Sequence, residues 1–291
     1  MALSLADHIV EVFSLPSTLD WCENNYEVTP LLAEFWNTMS SFAMVFFGLF
    51  GLYMHGHIAS RFALLYSFFT LVGVGSILFH GTLRFPFQVL DEVPMLWTSY
   101  ALAYIMLEPD SLKKKYGWHL SWVMTIWAAT ATILSCTHGK FQFYFFQTSY
   151  LINQIFALST VSHYAFNNAR AKGTGPLWGI ALRFYILAVV VWLIDLNFCH
   201  VLSDPSVLPV NPQLHAWWHV FAGYGSYVCC MMVVLNSMEV MGADCAINYA
   251  LFIIPYVTVL SPYSPIMSPK IVKGTNIHLG SPVRRPSRKN L

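Results

Sequence analysis

Seven apolar stretches, each long enough to cross a lipid bilayer as a helix, divide this chain of 291 residues. They run over residues 36–55, 62–80, 89–107, 118–136, 143–165, 178–199 and 215–236. A hydrocarbon core is spanned by about 20 apolar residues in helical conformation. Only 10% of the residues are charged, against about 25% in soluble domains, too few to cover a surface facing water. The expected fold is therefore an all-α integral membrane protein, a seven-transmembrane helix bundle. The net charge of +1 gives no case for nucleic acid. The implied partner is the lipid bilayer, and nothing in the sequence points to a protein partner.

Three regions follow from composition. Residues 1–35 are acidic, with Asp7, Glu11, Asp20, Glu23, Glu27 and Glu34 and neither Lys nor Arg. Residues 36–240 carry the apolar stretches. Residues 241–291 begin with a short apolar piece, 246–260, that runs into Pro255. It is too short for an eighth span and reads as an interfacial or re-entrant segment. The remainder is Pro- and Ser-rich, with Ser-Pro steps at Ser261, Ser264 and Ser268, and then basic, with Lys270, Lys273, Arg284, Arg285, Arg288 and Lys289. Such a composition cannot bury a core and predicts a disordered tail.

Basic residues concentrate on the cytosolic side of membrane proteins. Here Arg61, Lys113, Lys114, Lys115, Arg170, Lys172 and the six tail residues fall on one side, with Arg183 near it, and Arg84 and Lys140 on the other. The N-terminus is thus expected in the lumen and the C-terminus in the cytosol, which needs an odd number of spans. The N-terminus lacks the basic and apolar regions of a cleaved signal, so the first span is expected to target the chain.

Ionisable groups inside a span are costly and tend to mark function. With this topology His80, Asp91, Asp195, His215 and His219 all fall near the lumenal end of their spans. His215 and His219, at i and i+4, share one helix face. With His80 from another helix they make three protein ligands, the open arrangement of a catalytic zinc. Asp91 is placed to move protons and Ser76, one turn before His80, to donate to an oxyanion. Singly, each has a blander reading: an interfacial HxxxH pair, a histidine at a helix end, a first-turn acid at Asp91. Their common depth weighs against all of these. Trp36, Trp97, Trp217 and Trp218 read as interface anchors. On composition alone the acidic segment reads as a solvated lumenal arm.

These residues lie in stretches that resemble the alkaline ceramidases: Leu19-Asp20-Trp21-Cys22-Glu23-Asn24-Asn25-Tyr26, Ala33-Glu34-Phe35-Trp36-Asn37-Thr38, Gly75-Ser76, Phe79-His80-Gly81-Thr82-Leu83, Leu90-Asp91-Glu92-Val93-Pro94-Met95, Ile194-Asp195, Phe198-Cys199 and His215-Ala216-Trp217-Trp218-His219. The resemblance implies a zinc-dependent hydrolase that cleaves the amide of ceramide to a sphingoid base and a fatty acid. It implies His80, His215 and His219 as zinc ligands, Asp91 and Ser76 as catalytic groups, and Asp195 and Ser226 beside them. It further implies a calcium site at Asp20, Trp21 (through its carbonyl), Glu23, Asn25 and Glu34, a set of hard oxygen ligands that suits calcium, and a disulfide between Cys22 and Cys199. Cys136 would share their compartment, so topology does not decide the pairing. Asn24 stands where some relatives carry an acid.

The endoplasmic reticulum or Golgi membrane is the expected location, with the plasma membrane as alternative. The rival function is a receptor of the progestin and adiponectin receptor type, whose N-terminus is cytosolic, opposite to the orientation expected here.

Overall fold

The computed structural model describes residues 11–261. Asp7, the Ser-Pro steps at Ser264 and Ser268, and the basic tail lie outside the described residues. Seven long helices follow one another: α1 Phe35–His55, α2 Ser60–Thr82, α3 Phe85–Leu107, α4 Gly117–Ser135, α5 Lys140–Asn167, α6 Thr174–Leu202 and α7 Leu214–Val240. Each coincides with one apolar stretch of the sequence. Four of them, α1, α2, α6 and α7, are individually long and apolar enough to cross a membrane. The surface agrees with a lipid solvent: Trp118 is 71% exposed and Phe141 60%, in company with many other large apolar side chains, which water does not tolerate over so wide an area. The chain is a helical membrane protein.

Helix α7 runs through the middle of the packing. Its residues from Tyr227 to Leu235 are all buried, against Met44 of α1, Phe62 to Phe69 of α2 and Trp178 of α6. Membrane helices have little hydrophobic drive to associate with one another, so close approach through small residues matters. Gly75 shows this at the α2–α3 crossing. A Cβ there would lie 2.2 Å from the Leu90 carbonyl oxygen and 2.6 Å from the Asp91 nitrogen. Gly75→Ala is expected to force the two backbones apart, at about 1–3 kcal/mol for overpacking. A lowered thermal unfolding midpoint is the readout; an unchanged one would mean that α3 yields freely.

The structure departs from an all-α fold after α7. Strands β1 Asp244–Ala250 and β2 Ile254–Ser261 pair antiparallel as a hairpin. Ile254 and Val257 are buried in the core with α7, and the Val257 N–H donates to Nε2 of His55, at the end of α1, at 3.0 Å. The short apolar piece thus forms a strand pair, and no eighth span.

Candidate metal centre

Three histidines from two helices converge. His80 sits in the last turn of α2, His215 and His219 in the first turns of α7. All three are buried, and one ligand atom from each lies within 4.8 Å of the others. Among the described residues no other group of His, Cys, Asp or Glu side chains converges in this way. Nε2 of His80 and Nδ1 of His215 are buried without a hydrogen-bond partner. Such orphaned nitrogens are costly unless something else binds them, so the donor set fits a metal that takes imidazole.

Neighbouring groups fix the rings. The Glu34 carboxylate accepts from Nδ1–H of His80 at 2.5 Å, which turns the lone pair of Nε2 inward. The Ser40 hydroxyl donates to the Asn37 carbonyl at 3.1 Å and contacts Nδ1 of His219 at 2.8 Å. That contact engages Nδ1 of His219 and leaves its Nε2 on the side of Ser76 and the cavity. Partners of this kind hold the tautomer and orientation of metal-binding imidazoles. The Trp21 ring stacks on His215 with centroids 3.7 Å apart. Sequence reasoning found His80, His215 and His219 but missed Ser40 and the Trp21 ring, which no local pattern distinguishes from other residues of α1 and the arm.

Asp195 of α6 serves backbone rather than ring. Its Oδ1 accepts from the His215 N–H at 3.3 Å and its Oδ2 from the Cys22 N–H at 3.4 Å. Ser226 lies two turns along α7 from His219 and makes no hydrogen bond to the histidines; it lines the cavity instead.

That cavity measures about 340 Å³. Ser76, Asp91, His215 and His219 border it, and apolar groups such as Phe69 and Trp192 line much of the rest. Ser76 Oγ is 3.5 Å from Nε2 of His219 and accepts a hydrogen bond from Ser41 at 3.0 Å. Asp91 lies nearly two turns inside α3, which starts at Phe85, so it does not cap the helix. Its neighbour Glu92 is engaged elsewhere, accepting from the side-chain amides of Gln88 and Gln142.

The acidic arm folds over the same end of the bundle. Glu23 accepts from the Trp36 and Asn37 N–H groups, at 2.6 and 2.9 Å, and so caps α1 from a distance. Glu34 accepts from the Trp21 N–H at 3.0 Å as well as from His80. Asn25 donates to Asp20 at 3.0 Å. Burial raises the Asp20 and Glu23 carboxyls, the Glu34 charge adds to both shifts, and burial pushes Glu34 itself up to about 7. Cys22 and Cys199 form a disulfide with Cα atoms 5.2 Å apart, while Cys136 is free and exposed.

Comparison with known proteins identifies the family. A model of the ceramidase family matches residues 14–258. Alkaline ceramidase 3 of Mus musculus is 33% identical over 219 residues, covering 73% of this chain and 80% of the relative. Alkaline ceramidase of Arabidopsis thaliana is 29% identical over 251 residues, covering 84% and 94%, and alkaline ceramidase YPC1 of Saccharomyces cerevisiae is 28% identical over 254 residues, covering 80% of each chain. By the extent of these matches, the chain belongs to the ceramidase family.

Proposed function

We propose that this protein hydrolyses the amide bond of ceramides, releasing sphingosine or a related sphingoid base and a fatty acid, with zinc held by His80, His215 and His219. The observation that carries the reading is the buried histidine cluster, with ligand atoms within 4.8 Å, beside a mainly apolar cavity that Asp91 and Ser76 also border. When bound, zinc supplies Lewis acidity for the amide carbonyl and lowers the pKa of a water. The chain's residues do the rest. The Asp91 carboxylate takes the attacking water's proton and delivers it to the leaving amine nitrogen. The Ser76 hydroxyl donates to the oxygen that gains charge as the carbonyl is attacked. The apolar lining receives the lipid chains and keeps bulk water out. The match to ceramidases favours this over the receptor alternative.

Calcium binding by Asp20, the Trp21 carbonyl, Glu23, Asn25 and Glu34 belongs to the same proposal. Burial and the Glu34 charge raise the Asp20 and Glu23 carboxyls, and a divalent cation among them would offset both effects. So does the topology: seven spans, a lumenal N-terminus and a cytosolic C-terminus, in the endoplasmic reticulum or Golgi membrane, supported by the distribution of basic residues.

The test is ceramide hydrolysis by the purified protein. Stripping metal with a chelator is expected to abolish turnover, and added zinc to restore it. Full turnover with no zinc detectable would overturn the metal assignment, and no turnover with zinc at one ion per chain would overturn the substrate. Calcium is expected to raise the rate for the wild type and not for Asp20→Ala; an equal calcium response in both would remove the second site.

A further inference from the structure

The hairpin that follows α7 turns back along the helix it came from. The Tyr224 and Tyr227 hydroxyls of α7 donate to the carbonyls of Ile253 and Pro255 in the hairpin. Tyr224 lies more than four turns before the end of α7 at Val240, about 24 Å at 1.5 Å per residue. The hairpin tip therefore sits deep alongside the bundle rather than at its end.

The residues at the tip conflict with ordinary turn chemistry. The Ile253 N–H donates to the Ala250 carbonyl at 3.2 Å, closing a turn over Leu251 and Phe252. Both have left-handed backbones, with φ of 50° and 64°. Turns with two such residues ordinarily take Asn-Gly or Gly-Gly, because a larger side chain there crowds the backbone. These two are also highly exposed, Leu251 at 75% and Phe252 at 96%, with Ile253 at 68% beside them. In water the backbone strain and the apolar exposure would both be unfavourable. In hydrocarbon the exposure is favourable and outweighs the strain. No charged residue occurs from Cys245 to Leu260.

Backbone immersed in lipid must find its hydrogen bonds within the protein. Side chains of the helices meet part of this condition around the tip and the start of β2. The Val257 N–H is taken by His55, Pro255 has no N–H and its carbonyl is taken by Tyr227, and the Ile253 carbonyl is taken by Tyr224. Between the strands Asn248 donates its side-chain amide to Thr258 Oγ1 at 2.8 Å.

We infer that the hairpin is a re-entrant element whose tip, Leu251 to Ile253, is solvated by the acyl chains of the bilayer. Two measurements test it in phosphatidylcholine vesicles. In a chain carrying Cys136→Ser and Cys245→Ser, a nitroxide is attached at Phe252→Cys or, as control, at the exposed Asp244→Cys. At position 252 collisions with dissolved oxygen are expected to be frequent and collisions with a water-soluble nickel chelate several-fold rarer than at 244. Equal nickel collisions at both positions would overturn the inference. So would shielding of 252 from both reagents, the result of a protein partner or a second copy over the tip. The second measurement replaces the tip by the turn sequence that backbone geometry prefers. Leu251→Asn with Phe252→Gly relieves strain, so a tip in water would raise the thermal unfolding midpoint. A fall is expected, and a rise would overturn the inference.

Discussion

His80→Ala is expected to remove bound zinc and hydrolysis together. His80 is the one ligand of the cluster that comes from α2, and without it two imidazoles on successive turns of α7 cannot close the site. Lewis-acid stabilisation is worth several kcal/mol, roughly a thousandfold or more in rate. The substitution also strands the Glu34 carboxylate, which loses its 2.5 Å partner in a buried position. Metal content by mass spectrometry and ceramide turnover, measured on one preparation, make the check. A folded His80→Ala protein with one zinc per chain and a near wild-type rate would refute the assignment.

Asp91→Asn is expected to separate binding from chemistry. The amide keeps the shape of the carboxylate, and Asp91 is not one of the three converging ligands, so zinc content should be unchanged. An amide cannot take a proton and return it, and general acid–base catalysis contributes about 10²–10⁴ in rate. kcat should fall by that order while KM moves little. A rate within tenfold of wild type at full zinc content would assign the proton transfer to another group.

The helices were legible because lipid demands apolar runs, and α1 to α7 fall on the seven stretches within a few residues. Helix α3 starts at Phe85, four residues before the apolar stretch at 89, because polar Gln88 interrupts the apolar run while Pro86 favours a helix start. The hairpin was not legible as strand. Residues 254–260 show little polar alternation, since Ile254, Pro255 and Val257 face the helices and Leu260 is apolar though exposed. At the metal centre, histidine spacing and shared depth were enough for the cluster. The cap on α1 was not readable, because the residue that caps it, Glu23, is 13 positions from Trp36 in sequence. Nor was the contact between Ser40 and His219, 179 positions apart.

The histidine cluster also sets a clock on biosynthesis. One histidine is in the second helix and two are in the last, so His80 waits for 135 further residues before His215 is made, roughly 7 to 27 s at ordinary translation speeds. The arm that buttresses the cluster is tied down by a disulfide between cysteines 177 residues apart, which cannot close before the sixth helix has been made. A growing chain therefore cannot assemble the cluster, and one truncated before α7 never does. The cluster is complete only in a product whose second and last helices are both in place.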